Sequence, residues 1–249
     1  MKRKSSKKEI LWDKYAIVYD TLNDFYPYCK LKIKIANEIN NLIKIEKRKM
    51  ILLEIGCGTG NIIDQIFKIK DIHTNVNVFA IDKYISMLML AKEKLTKYGD
   101  SIEYICGDAD KINFGFKNNP IVQKSVDIVF LSLTFFNLNN KVQLLKSISK
   151  LLVTGGYLLI VDFKPGNQKK ALVSAHIKNR GIFSFLKNFK NSIKLNKYTK
   201  KIFEKDVQRT FAYLSTFELS ELFVDNGFSV VKTEDVYEDQ ATMIIGRKQ

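Results

Sequence analysis

The chain has few of the residues that mark secreted, metal-binding or membrane-spanning proteins. Its 249 residues include three cysteines, two histidines and three prolines. Cys29, Cys57 and Cys106 are odd in number and widely spaced, which fits neither a disulfide framework nor a zinc site with paired ligands. No apolar run reaches the roughly 18 uncharged residues that a transmembrane helix needs. We therefore expect a cytoplasmic protein without a bound metal.

The first residues are not typical of a secretory signal either. Residues 1–8 are strongly basic, but Glu9 and Asp13 follow where a signal peptide would have its apolar core. The chain is 46% hydrophobic and long enough to bury one sizeable core. We predict a basic tail over residues 1–10 and a single domain over residues 11–249.

Acidic residues are also scarce, since 26 Asp and Glu face 41 Lys and Arg and leave a formal net charge of +15. Most of the excess positive charge is lysine, in a chain that is also rich in Asn and Ile, which is the composition that AT-rich coding produces. In one interpretation these lysines are solvated surface residues without a specific partner. The alternative is a basic surface for an anionic partner such as lipid headgroups or RNA. Total charge leaves both interpretations open.

Apolar strands alternate with helical patterns through the middle of the chain. The predicted strands cover residues 50–55, 76–81, 102–106, 126–132 and 157–163, the last after a turn at Gly155-Gly156. Two further strands, 228–233 and 241–246, are close enough in sequence to pair antiparallel around an acidic turn. This alternation predicts an α/β fold with a doubly wound sheet.

Two helical segments lie outside that alternation. Residues 11–48 read as a helical cap of two helices broken near Pro27, because proline disfavours helix continuation. Residues 164–215 read as a helical insert in which apolar residues recur at helical spacing with lysines between them. We expect cap and insert to form walls over the carboxyl edge of the sheet.

Three glycines at alternate positions follow the first predicted strand. At Gly56, Gly58 and Gly60 the backbone is free to take positive φ and to approach a ligand closely. Their Gly-x-Gly-x-Gly spacing differs from the Gly-x-Gly-x-x-Gly fingerprint of dinucleotide sites. The loop therefore indicates a nucleotide-like ligand and argues against NAD.

Carboxylates stand where three of the predicted strands end: Glu54 on the first, Asp82 on the second, and Asp108 with Asp110 on the third. In an open parallel sheet these ends meet at the ligand-binding edge. Carboxylates repel a pyrophosphate and favour a cation, and one carboxylate can grip two ribose hydroxyls. S-adenosylmethionine (SAM) fits, because it has a ribose, an adenine, an ammonium and a sulfonium but no phosphate.

In this interpretation Glu54 helps to hold the methionyl ammonium, directly or through water. Asp82 accepts from the ribose hydroxyls, Asp108 accepts from the adenine amino group, and Met87 or Ile85 packs on the adenine. The predicted cofactor-binding residues are Glu54, Gly56, Cys57, Gly58, Gly60, Asp82, Lys83, Met87, Asp108, Ala109 and Ser132.

The same residues carry a family resemblance. Leu53-Glu-Ile-Gly-Cys-Gly-Thr-Gly60 resembles motif I of class I SAM-dependent methyltransferases, and Ala80-Ile-Asp82 resembles motif II. Gly107-Asp-Ala109 is similar to the adenine-binding motif, and Gly155-Gly-Tyr-Leu-Leu-Ile160 to the fifth strand. The resemblance implies a Rossmann-like, mostly parallel sheet of seven strands in the order 3-2-1-4-5-7-6, with strand 7 antiparallel. It also implies S-adenosyl-L-homocysteine as the product.

Within that class, Trp12-Asp13-x-Tyr15-Ala16-x-x-Tyr19-Asp20 is similar to the opening motif of the ubiquinone/menaquinone-biosynthesis type. That group methylates small molecules. The predicted acceptor pocket consists of Tyr15, Tyr19, Phe25, Phe136 and His176.

No catalytic base stands out in the sequence. Methyl transfer from a sulfonium needs alignment and desolvation, with a base only for a nucleophile that is protonated at neutral pH. His176 and Tyr19 are weak candidates for that role. The fourth strand ends in Leu131-Ser-Leu-Thr-Phe-Phe-Asn137 and lacks the Asn/Asp-Pro-Pro-Tyr/Phe signature of enzymes that methylate adenine or glutamine amides.

The leading hypothesis is a small-molecule methyltransferase with a largely closed acceptor pocket. A refinement is that the basic insert rests on an anionic membrane and admits a lipophilic acceptor; the alternative is a lid helix that packs on its own core and exposes its lysines. An RNA methyltransferase that uses the basic surface is a second hypothesis, although the missing signature weighs against nucleic acid. A catalytically silent SAM-binding or interaction protein is a third. The sequence indicates neither the acceptor, the methylated atom nor the oligomeric state.

Overall fold

A computed structural model describes residues 7–45, 48–69, 76–111, 121, 125–166, 169–187, 189–204 and 213–249. Residues 1–6 of the predicted tail lie outside the described part. The first helix, α1, spans Lys7–Tyr19, so the end of the predicted tail is helical. The order of the elements confirms the predicted α/β fold class.

The sheet has seven strands. They are β1 Met50–Ile55, β2 Val76–Asp82, β3 Ile102–Cys106, β4 Val126–Ser132, β5 Leu152–Phe163, β6 Phe228–Val236 and β7 Ala241–Lys248. Their order is β3-β2-β1-β4-β5-β7-β6, and β7 is antiparallel to both of its neighbours. The predicted topology is therefore confirmed. The carboxyl ends of the first five strands share one edge, where the glycine loop begins.

Helices cover both faces of the sheet and its ligand-binding edge. After α1 the helices are α2 Tyr26–Ile45, α3 Asn61–Phe67, α4 Ile85–Leu95, α5 Lys141–Leu151, α6 Lys169–Lys187, α7 Phe189–Glu204 and α8 Thr216–Asp225. Short 3₁₀ segments cover Asp20–Asp24, Thr96–Ser101 and Phe135–Asn137. None of the helices in the described ranges has the length and apolarity needed to cross a membrane.

The predicted helix break near Pro27 is confirmed, since Phe25 is extended and α2 begins at Tyr26, so that Pro27 is its second residue, where the missing N–H costs no helical hydrogen bond. Two other sequence predictions about local structure are wrong. Gly155 and Gly156 form no turn before β5 but lie inside it, at a register irregularity opposite β4. A Cβ at Gly156 would lie 3.0 Å from the Asp127 carbonyl oxygen, so glycine permits this close pairing.

The second error concerns the acidic turn before β7. Glu234 and Asp235 belong to β6, which runs to Val236 and pairs with β7 along its whole length. Salt bridges favour that extension, since Glu234 lies 2.9 Å from the Lys34 ammonium of α2 and 3.0 Å from that of Lys232.

Alternate residues of the central strands enter two hydrophobic cores, one on each face. Met50 and Leu52 of β1 join the core under α2, α3 and α4, whereas Leu53 and Ile55 join the core under α5 and α8. The period of two along a strand explains why the run predicted to be buried on both faces divides in this way. The rigid three-layer body fixes the positions of the loops at its ligand-binding edge.

Candidate functional site

The glycine loop has the conformation that its spacing predicts. Gly56, Gly58 and Gly60 have φ values of 77°, 54° and 74°. The amides of Gly56 and Cys57 donate to the carbonyl oxygen of Ile81, at 2.8 and 2.9 Å, and hold the loop against the end of β2. A Cβ at Gly56 would lie 2.5 Å from the Thr134 side chain, so this crossing of the loop requires glycine.

Asp82 lies beside that loop at the end of β2. One carboxylate oxygen accepts from the Gly58 amide and the other from the Tyr84 amide, each at 2.9 Å. Because each of the two carboxylate oxygens has two lone pairs, the carboxylate can accept a further hydrogen bond beside those from the backbone. Burial raises the pKa of Asp82 to about 6, against the lowering effect of these backbone hydrogen bonds.

Glu54 is buried behind the loop and does not line the cavity that lies beside the loop. Its Oε2 has no hydrogen-bond partner among the described residues. Burial, followed by the nearby Asp82 carboxylate, raises the pKa of Glu54 well above its usual value. A cation or a water between Glu54 and the cavity would satisfy this orphaned oxygen.

Asp108 forms an ion pair with Lys83 across the ends of β3 and β2. Partial burial acts to raise the pKa of Asp108, but the hydrogen bond and positive charge of Lys83, the Asp110 amide and the charge of Lys111 together lower it. Asp110 accepts from the backbone amides of Asn139 and Asn140 and so positions the start of α5. Like Asp82, these two carboxylates therefore have protein partners that fix their orientation.

One cavity of about 1150 Å³ connects this loop region to the cap and the insert. All five residues of the predicted acceptor pocket line it. Eight of the eleven predicted cofactor residues line it as well: Gly56, Gly58, Asp82, Lys83, Met87, Asp108, Ala109 and Ser132.

The other three predicted cofactor residues, Glu54, Cys57 and Gly60, do not line the cavity. The Cys57 side chain is buried in the core under α2 and α3. A Cβ at Gly60 would lie 2.6 Å from Leu95 Cδ1, so this glycine allows α3 to approach α4. Its place in the glycine motif thus has a packing explanation.

The cavity wall is largely aromatic. Trp12 stacks on Tyr84 with ring centroids 4.5 Å apart, and Phe136 stacks on Tyr213 at 5.5 Å. Sequence analysis missed several wall residues, which are Trp12, Tyr28, Tyr84, Phe163, Tyr213 and Tyr237. Trp12 belongs to the motif quoted for the cap, but the others come from five separate segments and share no sequence pattern.

His176 packs between the cap and the insert. Its Nδ1 accepts from the Tyr26 amide at 3.0 Å, its ring stacks on Phe25 at 5.2 Å, and its exposure is 3%. Desolvation lowers its pKa, which favours the neutral ring. With Nδ1 accepting, a neutral ring carries its proton on Nε2 and has no free lone pair, so this arrangement argues against a role as general base.

Tyr19 lies directly over the glycine loop, with its ring carbon Cε1 3.6 Å from the position of a Cβ on Gly58. Its hydroxyl is hydrogen-bonded to that of Tyr28, which also bonds Asn61. Burial raises the pKa of Tyr19 well above its usual value. The phenol therefore stays protonated at neutral pH and suits hydrogen bonding better than proton abstraction.

The backbone after β4 is strained where it meets the loop. Leu133 takes a φ of 51° although it is not glycine, and its amide donates to the Val161 carbonyl oxygen at 2.8 Å. Such conformations persist only when their surroundings enforce them and often occur at functional sites. Here the kink directs Thr134 onto Gly56.

Asp20, from the opening motif of the cap, ties the cap to the segment after the loop. Its carboxylate accepts from Thr59 Oγ1 at 2.6 Å and from Asn61 Nδ2 at 3.1 Å, and pairs with the Lys94 ammonium at 2.7 Å. Tyr15 extends the link, because its hydroxyl is hydrogen-bonded to Thr199 of α7. The cap, loop and insert are therefore mechanically connected.

We expect Asp20→Ala to lower the free energy of unfolding by about 1–2 kcal/mol, because it leaves buried Thr59 and Asn61 short of an acceptor. Urea unfolding measures this change. Asp13→Ala is the matched control, since Asp13 belongs to the same motif but is exposed. Equal destabilisation by the two substitutions would contradict the tethering role.

Comparison with known proteins finds a match to one family profile. The family profile described as "Methyltransferase domain" matches residues 53–160, from the end of β1 into β5. This part of the chain is a methyltransferase domain. The matched range contains the glycine loop, Asp82 and Asp108, and the SAM-dependent class implies SAM as the methyl donor of this methyltransferase.

Its relatives among characterised proteins are distant. The methyltransferase is 26% identical to the demethylmenaquinone methyltransferase of Listeria welshimeri over 236 residues, which cover 92% of this chain and 90% of that protein. It is 27% identical to the malonyl-[acyl-carrier protein] O-methyltransferase of Priestia megaterium over 161 residues, covering 63% of this chain and 54% of that protein. The chain thus aligns with only about half the length of the second relative.

Solved structures share the fold. A SAM-dependent methyltransferase from Aquifex aeolicus matches with a TM-score of 0.56 and 18% identity, over 86% of this chain and 89% of that one. The CurJ carbon methyltransferase matches with a TM-score of 0.62 and 17% identity, over 87% of this chain and 53% of that one. At these identities the likeness concerns the fold alone.

Proposed function

We propose that this methyltransferase transfers the methyl group of SAM to a small, lipophilic molecule by in-line displacement. The observation that carries the proposal is a single cavity that joins the carboxylate-lined glycine loop to an aromatic chamber under the cap. Pockets for one drug-sized ligand measure roughly 300–1,000 Å³. A cavity of about 1150 Å³ is large enough for an acceptor beside the methyl donor.

The loop region is suited to SAM. The Asp82 carboxylate can accept from the ribose hydroxyls beside its backbone hydrogen bonds, and the positive φ values of the glycine loop allow SAM to approach the backbone closely. Because Glu54 does not line the cavity, its unpartnered Oε2 would act through a water, accepting a hydrogen bond from a water that contacts the methionyl ammonium. Met87 and Ala109 offer apolar contact for the adenine.

SAM supplies an electrophilic methyl group on a sulfonium and leaves as a neutral thioether when a nucleophile attacks in line. The protein contributes alignment and exclusion of water. Phe25, Phe136 and Phe163 form an apolar wall for the acceptor, and protonated Tyr19 offers a hydrogen bond near the loop. No residue of the described part is assigned as a base, which suits a nucleophile that is already ionised at neutral pH.

The pKa of Asp82 predicts how SAM affinity depends on pH. As the pH rises through about 6, Asp82 ionises and becomes a better acceptor for ribose hydroxyls, so SAM should bind more tightly. Below that pH the affinity should fall by up to about tenfold per pH unit. Isothermal titration from acidic to neutral pH measures the step, and Asp82→Asn, which does not ionise, should remove it.

The ligand-free protein should show the opposite trend in stability. Because the folded pKa of Asp82 is raised, the unfolded chain ionises first, and the contribution of Asp82 to stability is lost as the pH rises from about 4 to about 6. If the wild type stays folded across this pH window and its affinity for SAM does not change, the assignment of Asp82 to the ribose is contradicted.

The acceptor class is supported by two observations. The Listeria relative, aligned over most of both chains, is named a demethylmenaquinone methyltransferase, and such an acceptor is lipophilic. The cavity wall of this chain also includes many aromatic side chains, Phe136 and Tyr213 among them. Peripheral contact with an anionic membrane is part of the same proposal, because lipophilic acceptors reside in bilayers.

The test is a methyl-transfer assay with labelled SAM on a membrane lipid extract and, separately, on an RNA pool. We expect label in the organic phase and none in the RNA. Label in RNA alone would favour the RNA methyltransferase. SAM binding without transfer to either pool would favour a catalytically silent SAM-binding protein.

A further inference from the structure

The excess positive charge of the protein is concentrated in one segment. Residues 164–203 contain eleven Lys or Arg and no Asp or Glu, so they account for +11 of the formal net charge of +15. A coding bias towards lysine would spread the charge along the chain. Most of its described residues lie in α6 and α7, and these two helices together are named here the insert hairpin.

The insert hairpin also exposes large apolar side chains. Phe183 is 84% exposed, and Ile182, Leu186 and Ile193 are each about half exposed. Ile182 and Phe183 follow Gly181, whose φ of 78° bends α6 and turns these side chains out of the helix line. Exposed basic side chains surround them, namely Lys178, Arg180, Lys187, Lys194 and Lys197.

The exposed apolar residues continue into the cavity. Phe185 and Ile193 of the insert hairpin line the cavity, while their neighbours Phe183 and Leu186 face outward. Ile193 is both half exposed and part of the lining. An apolar path therefore leads from the outer surface of the hairpin to the aromatic chamber.

We propose that the insert hairpin docks on an anionic lipid bilayer and that the acceptor enters the cavity from the bilayer past Ile193. Phe183 and Leu186 insert at the boundary of headgroups and acyl chains, and the surrounding lysines contact lipid phosphates. This inference rests on the proposed function, because it requires a lipophilic acceptor.

Lipid accounts for the surface better than RNA does. Lysines would suit the phosphates of either partner. Ile182, Leu186 and Ile193 are aliphatic, however, and aliphatic side chains gain free energy from burial in a bilayer but offer no flat ring for base stacking. The combination of basic and aliphatic residues therefore selects the lipid surface.

Vesicle flotation tests the docking directly. The full chain should float with phosphatidylcholine vesicles that contain phosphatidylglycerol and should not float with phosphatidylcholine alone. High salt should weaken binding, because exposed charges are screened. Absence of flotation with the anionic vesicles, or binding to an RNA pool but not to these vesicles at the same salt, would overturn the proposal.

Two sets of variants locate the surface. Lys187→Ala, Lys194→Ala and Lys197→Ala together should weaken vesicle binding about a hundredfold, since each lysine near an anionic surface contributes about fivefold. The control replaces Lys92, Lys146 and Lys150, which are exposed on α4 and α5, and should bind as the wild type does. Equal weakening by both sets would mean that net charge alone drives binding and would overturn the surface assignment.

Phe183→Asp tests insertion, with Phe217→Asp on α8 as a control of comparable exposure. We expect Phe183→Asp to weaken vesicle binding at least tenfold, because burying such a side chain contributes roughly 1.5–3 kcal/mol. We expect Phe217→Asp to leave vesicle binding unchanged.

The variant Phe183→Trp reports insertion without loss of apolar surface, because brominated lipid quenches the fluorescence of an inserted tryptophan. If brominated lipid quenches this variant on bound vesicles no more than it quenches the wild type, which has only Trp12, the insertion is overturned.

Calorimetry with S-adenosylhomocysteine, without vesicles, separates the two proposals. The lysine and Phe183 variants should bind it as the wild type does, because none of these residues lines the cavity. If the wild type fails to bind the ligand, the proposed function fails. If ligand binding persists but vesicle binding is absent, only the docking surface fails.

Discussion

Asp82→Ala is expected to weaken SAM binding at least about a hundredfold. The substitution removes the proposed acceptor of both ribose hydroxyls, and hydrogen bonds to a charged group contribute roughly 1.5–3 kcal/mol each. It also leaves the amides of Gly58 and Tyr84 without their acceptor, so the glycine loop loses a contact that orders it. Isothermal titration with SAM measures the affinity.

Two further variants make this result specific. Asp82→Asn keeps one acceptor oxygen and should lose less affinity than Asp82→Ala. Glu103→Ala removes an exposed carboxylate from the neighbouring strand β3 and should bind SAM as the wild type does. Circular dichroism shows whether Asp82→Ala is folded. If the folded variant binds SAM with an affinity within a few-fold of the wild type, the assignment of Asp82 to the ribose is wrong.

Gly56→Ala should be the most damaging single-methyl change in the loop. A Cβ there would lie 2.5 Å from both Cγ2 and Oγ1 of Thr134, and the φ of 77° is unfavourable for any residue with a side chain. Left-handed backbone costs about 1–2 kcal/mol and overpacking typically another 1–3 kcal/mol. We therefore expect a loss of about 2–5 kcal/mol in the free energy of unfolding, together with weaker SAM binding.

Gly99→Ala separates the two costs. Gly99 has a φ of 64°, close to that of Gly56, but a Cβ there meets no atom within 4 Å. It should therefore incur only the backbone cost. The difference between the two variants, measured by urea unfolding, gives the cost of the contact with Thr134.

A second substitution tests the contact itself. Thr134→Ala removes both atoms that lie 2.5 Å from the added methyl and leaves Cβ at 3.0 Å. It should restore part of the stability lost in Gly56→Ala. If the double variant is no more stable than Gly56→Ala, or if Gly56→Ala costs no more than Gly99→Ala, the steric account of the loop is wrong.

The features that were predictable from sequence depend on neighbours in the chain. The five strands from β1 to β5, the turn formed by Gly56 and Gly58, and the acidic residue at the end of β2 are local patterns of hydrophobicity, glycine spacing and charge. The strand order came from the family resemblance, which these patterns made possible. The α/β class followed from the alternation of elements alone.

Errors arose where distant contacts override a local signal. The Gly155-Gly156 pair is typical of a turn, but the pairing of β5 with β4 and β7 draws it into the strand. Gly60 belongs to the ligand motif by spacing, yet its side-chain position is occupied by Leu95 of α4. Histidine is the usual general base, but His176 uses its Nδ1 to accept a backbone amide 150 residues away in sequence.

The sequence by itself determined the class of this protein: an α/β methyltransferase with a glycine loop and carboxylates suited to a cationic nucleoside. Those properties follow from which residues stand at the ends of strands, and strand ends can be recognised locally. Only the tertiary structure decided which side chains surround the acceptor. Tyr28, Tyr84, Phe163 and Tyr237 come from α2, the β2–α4 connection, β5 and the β6–β7 turn. No pattern within a single segment relates them, because only the packing of cap and insert on the sheet brings them together.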